Sequence, residues 1–464
     1  MFNKQIAKNV LSNAMSTGAD FAEIFFEDTY QGNILMYSGK VDKATSKHIY
    51  GAGIRIIKDG REVYGYTSKI NQDGLLELSN KLKSSFNSKD IKEIKELKEE
   101  RAEQTAVKLG RLSKDVDLNE KISYLNICND AVKDYSPLIV QYIAQLSDTT
   151  QEVIIANTNG KYISDTRNQQ RIYFSVIAEH NGKKQSNGAS VGGNFSIDGY
   201  KEKDLVSFAK EIAESAVVMV DAPEMVGGVY PVVIHNGFGG VLFHEACGHP
   251  LEASAVARGM SVFTGKKGEK IASSVVTAID DGTIFNEWGS TNIDDEGNKT
   301  TKNVLIKDGI LTNYMVDEKN GKLMNMPSTG ASRRESYKYS PTSRMTNTYI
   351  ANGKSTFEEI IAATEYGLFA KSLGGGSVNP ATGEFNFAVN EGYMIEHGKI
   401  THPVRGATLV GNGANALLNI DMVANNQTFG HGVCGASSGS IPANVGEPTI
   451  RILNMTVGGN GGKK

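Results

Sequence analysis

The chain has 464 residues, of which 39% are hydrophobic and 22% are charged, and its formal net charge is −3. This balance is typical of a globular protein and argues against a nucleic-acid partner, which would require a strongly basic surface. Three cysteines are too few for a disulfide framework, no apolar run reaches the roughly 20 residues of a membrane span, and the N-terminal residues lack the apolar core of a signal peptide. We therefore expect a cytoplasmic protein with no membrane partner.

The first half of the chain is predicted to alternate helices with antiparallel strands. Apolar residues at helical spacing predict a helix over 4–15, and alternating apolar residues predict strands over 21–37 and 46–67. Asp59 and Gly60 are a hairpin-turn signal inside the second of these segments. Later elements are predicted as helices near 73–87, 118–134 and 203–220, strands over about 137–180, and a solvent-exposed helix or linker over 90–101.

The second half is predicted to be richer in strands. The chain has 50 glycines, dense in this half, and they indicate tight turns, bulges and close approaches between backbones. A strand over 229–234 precedes a helix from about 238 to 257, and a capping box, Ser355-Thr-Phe-Glu358, predicts a helix that runs to about residue 366.

These elements predict an α+β fold of two domains, each with large antiparallel sheets and flanking helices. The second domain is expected to be glycine-rich and dominated by β-structure. We place the boundary in the linker-like segment before residue 226. Residues 1–225 would then supply substrate and dimer contacts, and residues 226–464 would carry the chemistry.

Two histidines, His244 and His249, lie five residues apart and bracket Glu245. Two imidazoles and a carboxylate so close together indicate a metal site with its own general base. In the known zinc-protease pattern the histidines are four residues apart and share one helix face, whereas five residues turn a regular α-helix about 140° past a full turn. The imidazoles converge on one ion only if the helix widens into a π-turn or unwinds, which Gly248 and Pro250 favour.

A catalytic metal held by two histidines needs a third protein ligand. Cys247 lies between the histidines, but a helix that directs both imidazoles to one ion would direct this thiol elsewhere, so we interpret it as a small buried apolar residue. Cys434 lies in a glycine-rich segment whose backbone can approach an ion closely, although a buried thiol is the simpler interpretation of this residue alone. His431 is a weaker candidate in the same segment.

The remaining polar signals have simpler explanations. Asp294 and Asp295 are adjacent carboxylates, but they lack the ligand spacing of a calcium loop and are interpreted as turn residues. The other histidines stand singly and are expected at the surface or as satisfied core residues: His48, His180, His235, His397 and His402.

Several further segments, taken together with the histidine motif, resemble one family of metallopeptidases. They are residues 243–252 around the histidines, Asp280-Asp-Gly-Thr283, Asn292-Ile-Asp-Asp-Glu-Gly297, Arg333-Arg-Glu-Ser-Tyr337, Arg344-Met-Thr-Asn-Thr-Tyr349, Val404-Arg-Gly-Ala-Thr-Leu-Val-Gly411 and Gly432-Val-Cys-Gly435. Over nearly the whole second half they make the chain similar to the TldD/PmbA metallopeptidases, specifically to the TldD-type branch, while the first half matches more loosely. The other branch, of PmbA or TldE type, lacks the histidine motif and serves as a partner. TldD-type chains continue after the cysteine with Gly-Lys, whereas here Gly435 is followed by Ala436.

The resemblance implies that His244, His249 and Cys434 bind one zinc ion and that Glu245 is the general base for a metal-activated water. Ferrous iron also suits two histidines and a thiolate. The resemblance further implies that the substrates are unfolded peptides, in proteolysis or peptide maturation. It implies a dimer, either of two copies or with a PmbA/TldE-type subunit. Arg and Tyr side chains of residues 333–337 are the candidates for stabilising the oxyanion.

The alternative from another class is a non-enzymatic protein of the gyrase-modulator type, in which zinc holds the fold. A structural zinc site has four protein ligands and no adjacent base. Glu245, next to the first histidine, therefore favours the hydrolase.

Overall fold

The computed structural model describes residues 2–86, 91–107, 109–379 and 382–461. The first half contains four helices and seven strands within this part of the chain. In chain order they are α1 Lys4–Met15, β1 Phe21–Tyr37, β2 Lys40–Lys58, β3 Arg61–Thr67, α2 Gln72–Lys83, β4 Lys98–Arg101, α3 Leu118–Val132, β5 Ile139–Asn157, β6 Lys161–His180, β7 Lys183–Gly193 and α4 Leu205–Val220.

All seven strands of the first half form one sheet. Their order is β3-β2-β1-β5-β6-β4, and β7 also pairs with β6. The predicted turn between β2 and β3 is confirmed, because Asp59 and Gly60 adopt the positive φ angles of 49° and 75° that such a hairpin requires. Residues 98–101 form a strand that pairs in parallel with residues 161–164, so the expected helix or linker is wrong there. The expected ends at residues 87 and 90 lie outside the described residues.

The two faces of this sheet have different partners. Alternate residues of a strand point to opposite faces, and on β1 the even-numbered Ile24 and Phe26 pack with α1 and α2. Ile34 and Met36, of the same parity, pack with α3 and α4. The odd-numbered Phe25 lies in a separate apolar cluster with residues of the second half. The helices therefore cover one face, and the second half of the chain lies against the other.

The second half is dominated by strands. It contains β8 Gly228–Ile234, α5 Val241–Phe243, α6 Ala253–Val256, β9 Ala278–Asp281, β10 Lys302–Lys307, β11 Ile310–Leu311, α7 Glu318–Met324, β12 Ser332–Arg333, β13 Thr342–Ser343, β14 Asn347–Ile350, α8 Phe357–Ala362, β15 Tyr366–Val378, β16 Glu384–Glu396, β17 Lys399–Val404, β18 Thr408–Asn412, α9 Gly413–Leu418, β19 Ile420–Val423, β20 Thr428–Ala436, β21 Gly439–Glu447 and β22 Ile450–Gly458. Helix α8 begins one residue later than the capping box predicts, because Thr356 and Glu359 form the reciprocal cap, and it ends at Ala362 because β15 begins at Tyr366.

Two large sheets and one shared core organise this half. A six-stranded sheet has the order β11-β10-β9-β14-β21-β20, and a seven-stranded sheet has the order β15-β8-β22-β18-β16-β17 with β19 paired to β22. The largest apolar cluster joins residues from both sheets, and the short helical segments around residue 245 contribute Leu242, Phe243 and Ala246 to it. The histidine motif is therefore packed between two sheets.

The fold class is confirmed as α+β, with several large antiparallel sheets and flanking helices; 22% of residues are helical and 45% are in strands. In the part of the chain that the structure describes, none of the helices is long and apolar enough to cross a membrane.

Candidate metal centre

The backbone around the two histidines is a succession of short helical turns. A 3₁₀ turn over Phe238–Gly240 leads into α5, and His244–Gly248 then forms a π-turn. The backbone N–H of His249 donates to the carbonyl of His244, which is the five-residue hydrogen bond of a π-helix. The predicted widening is thus confirmed, and it brings the imidazole rings to a centroid distance of 5.2 Å.

Cys434 reaches the histidines from a distant part of the chain. It lies on β20, which pairs antiparallel with β21 at the end of the six-stranded sheet. Its Sγ lies 3.3 Å from Nε2 of His244 and 3.4 Å from Nε2 of His249. One donor atom from each of the three residues lies within 4.8 Å of the other two. The packing of the π-turn on the β20–β21 hairpin therefore forms a cluster of two imidazoles and one thiol.

The dimensions of this cluster fit a small metal ion. Tetrahedral zinc with bonds of about 2.3 Å to sulfur and 2.0–2.1 Å to nitrogen separates the sulfur from each nitrogen by about 3.5 Å. The two observed separations, 3.3 and 3.4 Å, are within 0.2 Å of that value. Burial raises the pKa of the Cys434 thiol, but hydrogen bonds with His244 and His249 outweigh burial and lower this pKa to about 4. The sulfur is therefore a thiolate, the form that binds metals.

Glu252 lies behind His249, and Arg344 lies behind Cys434. Neither residue was predicted to belong to the site. Oε2 of Glu252 lies 3.3 Å from Nδ1 of His249, the ring nitrogen opposite the one that faces Cys434. Burial lowers the pKa of His249, but the Glu252 carboxylate and Cys434 outweigh burial and raise this pKa well above its usual value. A carboxylate behind a ligating histidine is the usual outer partner in zinc sites. The one sequence signal for this role of Glu252 is its position three residues after His249.

Glu245 lies at the mouth of the cluster. Its side chain is 37% exposed, and its Oε2 is 3.9 Å from Nε2 of His249. With His244 and Cys434 it lines a cavity of about 120 Å³, which is otherwise bounded by Phe238, Val241, Gly432, Val433, Ala443 and Val445. The carboxylate is thus open to solvent on the side where a substrate can enter, and mostly apolar residues form the rest of the cavity wall.

Other candidates from the sequence lie outside the cluster. Cys247 is fully buried in the apolar core, and burial raises the pKa of its thiol. Nδ1 of His431 donates to the carbonyl of Ser190, and this ring lines a different cavity of about 650 Å³. Arg333 donates to the carbonyls of Met345 and Pro442.

The remaining candidates of the 333–337 segment contact the first half of the chain. Arg334 pairs with Glu23, and the backbone N–H of Tyr337 donates to Glu27. None of the side chains of residues 333–337 is among those that line the cavity at Glu245 within the described ranges.

Comparisons with known protein families match the chain almost throughout. Three family profiles align to it: PmbA/TldA metallopeptidase domain 1 over residues 22–85, the central domain over residues 111–220 and the C-terminal domain over residues 227–459. The metalloprotease TldD homolog of Haemophilus influenzae is 36% identical over 467 aligned positions, which cover 98% of this chain and 96% of the relative.

Solved structures show the same fold. A Thermotoga maritima protein described as a candidate modulator of a DNA gyrase has a TM-score of 0.79 at 20% identity, with 98% of this chain and 99% of that chain covered. TldE from Thermococcus kodakarensis has a TM-score of 0.75 at 19% identity, with 97% and 99% covered. At these identities the likeness concerns the fold alone.

Proposed function

The chain belongs to the PmbA/TldD metallopeptidase family and is a metallopeptidase, and from this premise we propose that it is a zinc-dependent peptidase of the TldD type. One observation carries the proposal. His244, His249 and Cys434 converge within 4.8 Å, and Glu245 stands beside them at an open cavity. We propose that the first three side chains hold the metal and that Glu245 is the general base.

The donor set favours zinc. Imidazole nitrogens and thiolates are both usual zinc donors, and a catalytic zinc site has three protein ligands and keeps a fourth position open. Ferrous iron is the second metal that suits these donors. When bound, the metal supplies a Lewis acid that polarises a carbonyl and lowers the pKa of water. Cys434 contributes a negative charge, which the two imidazoles stabilise.

Glu245 is placed to move a proton. Its carboxylate is the acidic side chain that lines the cavity with His244 and Cys434. In peptide hydrolysis it would accept a proton from the attacking water and deliver it to the leaving amine. The partial exposure of the side chain, 37%, leaves it free to reach both positions.

The substrate we propose is an unfolded peptide, in proteolysis or in peptide maturation. The cavity at Glu245 is small, about 120 Å³, and it lies beside β20, the last strand of its sheet among the described residues. Val433, next to the ligand Cys434, is 57% exposed. An extended peptide can lie along such an edge and bind through its main chain, whereas a folded protein has no free strand to offer.

We also propose that the chain works as a dimer, either of two copies or with a TldE-type subunit. The similarity of its fold to that of TldE supports the second arrangement. Residues 1–225 would provide the dimer and substrate contacts, and residues 226–464 the metal site.

A non-enzymatic role with structural zinc is the second candidate, and the geometry supports it less well. Within the described part of the chain, the cluster contains three ligating residues rather than four. The apolar cavity also opens onto a carboxylate, which a structural site does not need.

The test compares the wild type with Glu245→Gln in cleavage of a disordered peptide, with zinc supplied. We expect both proteins to bind one equivalent of metal, and cleavage to fall by about 10²–10⁴-fold in the variant, which is the usual contribution of a general base. Equal cleavage by both would overturn the mechanism. If neither protein cleaves, the assay is repeated with a TldE-type subunit added, and continued inactivity would favour the non-enzymatic role.

A further inference from the structure

Arg344 lies fully buried between the two segments that carry the proposed ligands. Its Nη1 donates to Oγ of Ser438 and to the carbonyl of Gly439, each at 2.9 Å, and its Nη2 donates to the carbonyl of Cys434. Ser438 lies in the turn that joins β20 to β21, and Gly439 is the first residue of β21. One guanidinium therefore fixes both the backbone of Cys434 and the hairpin turn behind it.

The same guanidinium faces the carboxylate behind His249. Nε of Arg344 lies 3.9 Å from Oε1 of Glu252, while Oε2 of Glu252 lies 3.3 Å from Nδ1 of His249. Glu252 is the one carboxylate within 4 Å of this guanidinium among the described residues. Nε and Oε1 are both buried and have no closer hydrogen-bond partner, so these two opposite charges depend on each other.

We infer that Arg344 is a positioning residue of the metal centre, which acts through Glu252 on His249 and through the backbone on Cys434. This inference rests on the proposed function, in which His249 and Cys434 hold the metal. The two ligands are 185 residues apart in the chain, and they reach one ion only if the π-turn and the hairpin keep a fixed separation. Arg344 spans that separation with four contacts. Two are to Ser438 and Gly439 at the hairpin turn, one is to the carbonyl of Cys434 and one is to the carboxylate of Glu252.

Glu252 determines which ring nitrogen of His249 is available to a metal. Its carboxylate faces Nδ1 of His249 at 3.3 Å and favours a proton on that nitrogen, so Nε2, which faces Cys434, is the nitrogen that would bind a metal. Arg344 holds the carboxylate in that position by charge. Arg344→Lys keeps one positive charge but loses the planar guanidinium group. The ammonium group can therefore reach only some of the four oxygen atoms that Arg344 contacts.

The experiment compares Arg344→Lys with a matched control, Arg333→Lys. Arg333 is also buried and also donates to two carbonyls, those of Met345 and Pro442, but it contacts neither Glu252 nor the backbone of Cys434. Metal affinity is measured by competition with a chromophoric chelator, and the ligand field by the absorption of the cobalt-substituted protein. The cobalt spectrum reports the thiolate bond directly, so these readouts do not depend on activity.

We expect Arg344→Lys to lower metal affinity by about 10–100-fold, the usual cost of losing an outer partner, and to weaken the thiolate-to-cobalt band. Arg333→Lys should leave the metal affinity and the thiolate-to-cobalt band unchanged, and its unfolding midpoint should be similar to that of Arg344→Lys. Glu252→Gln, which keeps the volume of the side chain, should lower affinity to the same degree. The double variant Arg344→Lys/Glu252→Gln should cost little more than either change alone, because the two residues act as one unit.

Failure of the proposed function and failure of the inference give different results. If the wild type fails to bind one metal through a thiolate, the proposed function fails. If the wild type binds metal and cleaves peptide but Arg344→Lys matches Arg333→Lys in affinity and spectrum, the inference alone is overturned. If Arg344→Lys does not fold, Glu252→Gln decides, and an unchanged affinity in that variant overturns the inference.

Discussion

Two buried thiols in the same core differ because of their neighbours. Burial raises the pKa of both Cys247 and Cys434, since an apolar environment disfavours a thiolate. Cys434 alone lies between two imidazoles, and their hydrogen bonds reverse the shift and bring its pKa to about 4. At the scale of single residues, the hydrogen-bond partners of these two thiols therefore determine the difference in pKa, while burial is common to both.

The two thiols provide a matched pair of variants. We expect Cys434→Ala to lower metal affinity by more than the roughly 10–100-fold that follows loss of an outer partner, because it removes a direct ligand. Cys247→Ala should keep one equivalent of metal and unaltered affinity, since this thiol packs in the apolar core. Metal content by elemental analysis and affinity by chelator competition test both variants. Metal loss in Cys247→Ala together with retention in Cys434→Ala would reverse the ligand assignment.

The sequence predicts local elements well and their contacts poorly. The five-residue spacing of His244 and His249 predicts the π-turn, because no regular helix brings residues so spaced to one side. The glycine-rich segment around Cys434 makes this residue a candidate ligand. Only the family resemblance favours it over a buried thiol, since the sequence does not show that a residue 185 positions from His249 lies beside it. Glu252 and Arg344 are visible in the sequence as ordinary charged residues, and only the packing of the β20–β21 hairpin on the π-turn places them behind the ligands.

That packing depends on a close approach between Gly240 and Gly446. A Cβ at Gly240 would lie 2.6 Å from the backbone N and C of Gly446 on β21, and the φ of Gly240, −57°, is ordinary for a helix. The restriction is therefore steric rather than conformational. Gly446 pairs with Phe429 of β20, the strand that carries Cys434, so displacement of β21 would also displace the thiolate.

We expect Gly240→Ala to lower the free energy of unfolding by about 1–3 kcal/mol, as overpacking of a tight core does, and to weaken metal binding. Gly375→Ala is the control, because a Cβ there has nothing within 4 Å and the glycine has no positive φ. Urea unfolding and chelator competition measure the two effects. Identical stability and affinity in the two variants would show that the helix and hairpin can separate without consequence.

At the scale of the whole molecule, a layer of buried arginines and acidic side chains joins the first sheet to the second half. Arg55 pairs with Glu23 of its own sheet and with Glu296, which is 241 residues away. Arg334 pairs with Glu23 from the other side, and Arg167 pairs with Asp295. Asp295 and Glu296 therefore connect the two halves of the chain. The prediction that Asp294 and Asp295 are turn residues accounts only for the hydrogen bonds that Asp294 accepts from the backbone N–H groups of residues 296 and 298.

This layer predicts how stability depends on pH. Burial raises the pKa of Glu296 to about 8 and that of Asp294 to about 7, and Arg55 offsets only part of the effect at Glu296. The unfolded chain releases these protons near pH 4, whereas the folded protein keeps them until its raised pKa values are reached. The folded state therefore binds more protons between about pH 4.5 and 8, and the free energy of unfolding falls as pH rises through this window.

Glu296→Gln isolates one of these groups, because the amide has the shape of the protonated acid and does not titrate. We expect urea titrations at pH 5, 6, 7 and 8 to give a shallower decline in unfolding free energy for the variant, by at most about 1.4 kcal/mol per pH unit, the value for one proton. Glu103→Gln is the control: this exposed carboxylate pairs with Lys299, which lowers its pKa to below the window, so its slope should match that of the wild type. Parallel slopes for all three proteins would mean that Glu296 is ionised in the folded state. The Arg55–Glu296 contact would then hold the two halves together as an ion pair at every pH in the window.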